Sequence, residues 1–289
     1  MKTPTIFLCL LICIHGFVQA EDEALLERTD AAIKLFKSGK EKDGIQALSK
    51  LIDANPKDAS LFSIRAQMRD GQRDFENAIL DYTAALKLAP DIVNHYQSRG
   101  AANFRAGNIE ASIKDFDKYI AAHPEQAPYH WQRGISHYYA GRFKDGTAQF
   151  ELHKTVNPND VENSVFHFIC KAPLVGVEKA QESIIPIKND TRIPMMKVLE
   201  MYAGKATPEE VLKRAHEGDP PARRLKNQLF YAHLYIGLYY EALRKKEETA
   251  KYIKLAATKY FSPHYMGDVA RVHWEILQKR SKRIEGQAD

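Results

Sequence analysis

The chain has 289 residues, with 42 Lys or Arg against 37 Asp or Glu and a formal net charge of +5. That length allows one extended array or two small domains, and the near balance of mixed charge argues against nucleic acid as a partner. Lys279 to Arg283 is a short basic tail rather than a block interleaved with stacking aromatics, and it reads as a solvated helix end.

The first twenty residues read as a cleavable secretory signal. Met1-Lys2-Thr3 gives a basic start, Ile6 to Ile14 an apolar run too short to span a bilayer, and Val18-Gln19-Ala20 small residues before the acidic Glu21. Residues 1–20 are therefore expected to be removed, with Glu21 as the mature N-terminus and an exported, periplasmic or secreted product. Cys13 is preceded by Ile12, where a lipobox needs a small residue, which disfavours a lipid anchor. After cleavage Cys170 is the only cysteine, so no intramolecular disulfide can form; it is read as a small packed residue. No later apolar stretch is long enough for a membrane span.

Residues 21–160 carry a repeat. Pro56, Pro90, Pro124 and Pro158 stand 34 residues apart, which places repeat starts at Leu25, Ala59, Val93 and Ala127 when the proline is position 32. Position 8 is then small (Ala32, Ala66, Gly100, Gly134), as is position 20 (Gly44, Ala78, Ser112, Gly146). Position 24 is bulky and apolar (Leu48, Tyr82, Phe116, Phe150). Small sites facing a large plug let two helices approach closely, so each repeat is predicted to be a helical hairpin. Gly71, Gly107 and Gly141 are expected in the turns between paired helices, in left-handed backbone. The prolines are expected at the joints between repeats, at the starts of the following helices.

With Tyr96, Gly100, Gly107, Phe116 and Pro124 in the third repeat, the chain resembles the tetratricopeptide repeat family. The resemblance implies an all-α, right-handed α-solenoid of tetratricopeptide-type hairpins, with a C-terminal capping helix. One departure is Arg65, Arg99 and Arg133 at position 7, with Asp81 and Asp115 at position 23. Two pairings remain open: Arg65 with Asp81 and Arg99 with Asp115 inside a repeat, or Arg99 with Asp81 and Arg133 with Asp115 across the boundary. Either makes a structural ion-pair ladder.

Residues 161–204 form a degenerate repeat. Phe168 takes position 8, Ala180 position 20 and Ile184 position 24, while Pro173 and Pro186 trim both helices. Met195 to Ala203 is predicted helical. Residues 205–289 open with Thr207-Pro208-Glu209-Glu210, a capped helix start, followed by a loop through Gly218 to Pro221. Hairpin character then resumes, with Gly237, Tyr240, Ile253 and Ala256 at positions 8, 11, 24 and 27. A helix over about His264 to Arg280 closes the stack, as terminal repeats require. The segments His130 to Arg142 and Phe230 to Ala256, with this order of repeats, further resemble the NlpI family of bacterial envelope lipoproteins. That resemblance implies a non-catalytic, homodimeric adaptor for envelope proteases and cell-wall hydrolases; no functional residue is carried over from it, and the signal departs from it.

Catalytic chemistry is not legible. His130 and His137 lie seven apart without a completing carboxylate or cysteine, so neither a zinc site nor any other metal or cofactor is expected. No Gly-x-Ser-x-Gly turn or glycine-rich phosphate loop occurs, and Cys170 lacks the surroundings of a nucleophile. The protein is therefore read as a non-enzyme.

Binding surface is what the array offers. Positions 2, 5, 9, 12 and 13 of first helices line the concave face in this family. In repeats three and four these include Asn94, Gln97, Phe104 and Arg105, then Trp131, Ile135, Tyr138 and Tyr139. Aromatics beside amides suit an extended peptide or a partner helix. The competing reading packs Trp131 and Tyr138 against the next repeat. The lysines that grip a terminal carboxylate in chaperone-binding relatives are absent from these positions. Other proteins or peptides are the expected partners; a self-associating structural role is the alternative, and an enzyme with a site in Lys171 to Gly204 is the third reading.

Overall fold

The computed structural model describes residues 23–285, so the predicted signal and the question of an acylated Cys13 lie outside the described residues. Among those residues every regular element is helical. The chain divides into two compact units, Met1–Ala102 and Asn103–Asp289.

The first unit pairs α1 (residues 23–37) with α2 (Glu41–Ala54) and α3 (Ala59–Gly71) with α4 (Phe75–Leu88), and continues into α5 (Asn94–Arg105), of which residues 103–105 belong to the second unit. Its core is thin and layered. Ala32, Leu48, Leu51, Ile52, Leu61 and Met68 form one buried cluster, and Ala66, Ala78, Tyr82 and Ala102 a second. Such layers are what a stack with only neighbour contacts produces. The small sites act as predicted: a Cβ on Gly44 would stand 2.7 Å from the Ala32 carbonyl oxygen, so position 20 is where the two helices touch.

The second unit holds α6 (Ile109–Ala122), α7 (Trp131–Tyr139), α8 (Phe143–His153), α9 (Val161–Val175), α10 (Val177–Glu182), α11 (Met195–Tyr202), α12 (Pro208–His216), α13 (Ala222–Ala242), α14 (Lys246–Ala257) and α15 (Tyr265–Glu285). One continuous core runs from Phe104 to Val272. A Cβ on Gly134 would meet the Phe150 ring at 2.7 Å, and one on Gly237 would meet Ile253 at 2.7 Å; position 8 faces position 24 in both hairpins. The predicted capping box is formed: Glu210 N–H donates to Thr207 Oγ1 at 3.3 Å and Thr207 N–H to Glu210 Oε2 at 2.7 Å.

Three expectations are corrected. Gly71 is the last residue of α3 and has no left-handed backbone; Arg73 takes that conformation in its turn (φ 64°). Residue 15 of the 34-residue frame is left-handed in each regular hairpin turn: Gly39, Arg73, Gly107, Gly141 and Arg244. Glycine is cheap there but not obligatory, because the hairpin packing holds the turn. Pro56, Pro90 and Pro158 sit in the joints ahead of the next helix, whereas Pro124 starts a 3₁₀ turn (Pro124–Tyr129) that delays α7 to Trp131. Pro173 lies inside α9, and the trimming falls mainly on the six-residue α10.

The arginine ladder resolves into a repeated rivet. Arg65 Nε and Nη2 donate to both Asp81 oxygens at 2.9 and 2.7 Å, the within-repeat pairing, while Nη1 reaches Ser49 in the preceding repeat at 2.9 Å. Arg69 adds a bond to Asp81 at 2.8 Å. Arg99 donates to Thr83 at 3.0 Å, and Arg133 to Asp117 at 2.7 Å and Gln149 at 3.0 Å. Ser49, Thr83 and Asp117 share position 25; Asp81 and Gln149 share position 23. Across the boundary, then, Arg133 reaches Asp117. His167, at position 7 of the fifth repeat, lies 3.3 Å from Glu151 at position 25 of the fourth.

Candidate functional site

The predicted groove residues divide between the units. Asn94 is exposed and Gln97 half-buried on α5 in the first unit. With exposed Ser60 and Gln67 on α3, they give the first helices there a polar, solvent-facing inner side. In the second unit the predicted face is covered. Phe104 is 0% and Ile135 1% exposed, both in the core; their assignment to an accessible groove is corrected. Trp131, Tyr138 and Tyr139 are half-buried and packed against that core.

The chain's own C-terminal helices do the covering. Tyr265, at the start of α15, stacks on Phe104 (centroids 5.4 Å apart, planes at 19°) and meets Trp131 edge-on at 5.0 Å. Arg105 places its guanidinium 6.0 Å above the same Tyr265 ring, and the Arg105 carbonyl accepts from Arg271 Nη2. Tyr139 Oη lies 3.0 Å from Nδ1 of His273, also on α15. Tyr138 donates to Glu241 at the end of α13. His273 Nε2 lies 3.4 Å from Glu241, and Arg280 lies 3.7 Å from it. Burial raises both tyrosine hydroxyls well above their ordinary pKa and lowers that of His273, so all three stay neutral near pH 7. These groups satisfy one another, which makes the cluster a clasp between α7 and the C-terminal helices. Sequence reasoning missed Glu241, Tyr265 and His273. The available signal was the aromatic and small residues along one side of α15, read there only as a cap.

Two cavities remain beside the clasp. One of about 510 Å³ is bounded by Tyr138, Tyr139, Ala172, Glu241, Arg244 and Arg280. Another of about 410 Å³ lies between the start of α7, the end of α8 and the first turns of α9, under Met266. At its edge Arg192 bridges Asp160, Glu162 and Asp190, each at 2.6 Å. Burial pushes the Glu162 carboxyl up despite Arg192, and Tyr235 donates to it. Burial also works to raise Asp190, but hydrogen bonds from Arg192 outweigh it and hold that carboxyl below its usual range.

His130 and His137 are both buried. Burial lowers each to a pKa of about 4; His130 accepts from the Arg133 N–H at 3.3 Å, and both His137 nitrogens lack a protein partner. Burial raises the Cys170 thiol far above its ordinary value, which leaves it inert. Among the described residues no cluster of three or more His, Cys, Asp or Glu is placed to hold a metal, and no helix is long and apolar enough to cross a membrane.

Hairpins in a 34-residue frame, with a small position 8 against a large position 24, define a tetratricopeptide-type helical repeat fold. The structure is similar to that of a tetratricopeptide repeat protein from Parabacteroides merdae, with a TM-score of 0.56 and 16% identity over 89% of this chain and 99% of that one. It is also similar to MamA, residue 41 to the end, from Desulfovibrio magneticus RS-1 (TM-score 0.50, 13% identity, 55% of this chain and 89% of that one). MamA AMB-1 matches with a TM-score of 0.50 and 17% identity over 66% of this chain and 98% of that one. At such identities the likeness is one of fold. No protein-family model matches the sequence, and no curated protein matches it.

Proposed function

We propose that the protein is an exported scaffold, a non-enzymatic adaptor that uses repeat surfaces to bring cell-envelope proteins together. The observation that carries this reading is the first unit's inner face, where Ser60, Gln67 and Asn94 are exposed on successive first helices and Gln97 stands half-buried beside them. Hydroxyls and amides in that arrangement present donors and acceptors to the backbone of an extended segment. The fold favours the reading as well, since a stack of hairpins creates extended surfaces. Envelope proteases and cell-wall hydrolases are the partners suggested by the sequence's resemblance to envelope lipoproteins, with a homodimer as the associated form.

A photo-reactive amino acid at Gln67 or Asn94, activated in living cells of the native host, tests it. Discrete cross-links to envelope proteins, identified by mass spectrometry, are expected from these positions and not from the outer helix position Lys50. Cross-links that reach only cytoplasmic proteins, or none, remove the adaptor reading. N-terminal sequencing of the native protein is expected to begin at Glu21, and an acylated Cys13 would replace the soluble exported form with a tethered one.

A further inference from the structure

The 410 Å³ cavity of the second unit combines features that the clasp does not use. Its walls are apolar, from Trp131, Ile135, Phe166 and Met266, and Tyr129 stands at its mouth with 58% of its surface exposed. That volume falls within the roughly 300–1,000 Å³ range of ligand pockets. Asn163 also lines it. The residue is only 3% exposed, and neither its Oδ1 nor its Nδ2 has a hydrogen-bond partner in the protein. A buried amide left unpaired is costly, so an orphan amide on a residue that lines a cavity marks a place where a ligand's polar group belongs. The edge is acidic: Asp160 and Glu162 share Arg192 with Asp190, three carboxylates to one guanidinium.

We propose that this cavity receives an apolar side chain from an extended, basic peptide segment, whose backbone peptide group pairs with the Asn163 amide. Each observation selects one property of the occupant. A carboxamide presents a donor and an acceptor side by side, the complement of a peptide group. The aromatic and aliphatic walls take the apolar anchor, with Tyr129 closing over it from the exposed edge. Excess carboxylate favours flanking Lys or Arg and disfavours an acidic segment. The proposal deepens the adaptor reading, on which it rests, by giving the second unit a peptide subsite of its own despite the filled groove.

Isothermal titration of the mature chain with three peptides tests it: acetyl-Gly-Phe-Lys-Lys-amide, its charge-reversed form acetyl-Gly-Phe-Glu-Glu-amide, and acetyl-Gly-Gly-Lys-Lys-amide, which lacks the anchor. The first is expected to bind saturably and at least tenfold more tightly than the other two. Asn163→Leu should weaken it at least tenfold while leaving the melting midpoint unchanged or higher, because a purely structural amide would lower that midpoint on removal. Tyr129→Ala, at an exposed position, should weaken it severalfold and serves as the second variant should Asn163→Leu fail to fold. Equal binding of the three peptides, unaltered binding by both variants, or no saturable binding overturns the proposal. A chain that cross-links envelope proteins yet binds none of the peptides loses this subsite and keeps the adaptor reading; one that binds the first peptide but cross-links nothing in the envelope keeps the subsite and loses the adaptor.

Discussion

The two units use the same hairpin and treat its inner face in opposite ways. In the first, Ser60, Gln67 and Asn94 stay exposed, and the core is divided into small clusters between neighbouring helices. In the second, Phe104 and Ile135 are buried, Tyr138 and Tyr139 are clasped by Glu241 and His273, and one core extends from Phe104 through α15. The lesson is that the repeat frame decides which positions face inward, whereas the occupant of that face depends on what else the chain can supply. Polar positions gain little from cover and stay open; aromatic ones lose about 25 cal/mol for every Å² of apolar surface left in water, and the chain covers them.

Truncation of a groove residue separates the two faces most sharply. Phe104→Ala should destabilise the second unit by about 3–5 kcal/mol, since it removes a ring fully enclosed between Tyr139 and Tyr265. Asn94→Ala on the same helix should stay within about 0.5 kcal/mol. Chemical denaturation of both variants decides it, and similar small losses would mean that the second groove is open after all.

Within the first unit the largest effect belongs to the rivet. Asp81→Ala leaves Arg65 and Arg69 without their shared carboxylate, whose side chain is 4% exposed. A loss of about 2–3 kcal/mol is expected, below the full cost of orphaning a buried charge because both arginines retain contact with water. A melting curve matching wild type would show that Ser49 and solvent are partners enough.

Acid should act on the second unit through His130 and His137. Their folded pKa of about 4 lies below the ordinary 6.5, so between those values the unfolded chain takes up protons that the folded chain refuses. Stability is therefore full above pH 6.5 and falls as pH drops toward 4, by up to about 3 kcal/mol for each histidine. Fluorescence from Trp131 and Trp274 follows that loss, and His137→Phe should flatten the profile. A flat wild-type profile would place both imidazoles in contact with solvent.

The smallest effect compares matching turns. Arg73→Gly in the first unit and Arg244→Gly in the second relieve a left-handed backbone at the same frame position, and each should gain up to about 1 kcal/mol. Arg73 also lies 5.4 Å over the Phe75 ring, so its gain should be the smaller. Differential scanning calorimetry orders the two, and destabilisation of both would mean that the turns depend on the arginine side chains.

Much of the repeat was legible in the chain. Gly134 against Phe150, Gly237 against Ile253, and the Thr207–Glu210 box were readable because each depends on residues within one hairpin or one helical turn. Gly71 does not mark the turn because the left-handed residue is set by the frame position, residue 73, and not by a glycine near the helix boundary. The candidate site was legible only in part: the frame gives its residues their helical positions, but whether those positions stay accessible, as at Asn94, or enter the core, as at Phe104 and Ile135, was not encoded there.

By itself, then, the sequence determined the hairpins, their period and the inward positions, since close helix packing demands small and large residues at set spacings. Only the tertiary structure decided that Arg65 pairs with Asp81, that Tyr265 and His273 occupy the aromatic groove, and that Asn163 is left unpaired on a cavity wall. These outcomes depend on contacts between segments up to 166 residues apart, as between Arg105 and Arg271, and no local spacing records which distant surface fits best.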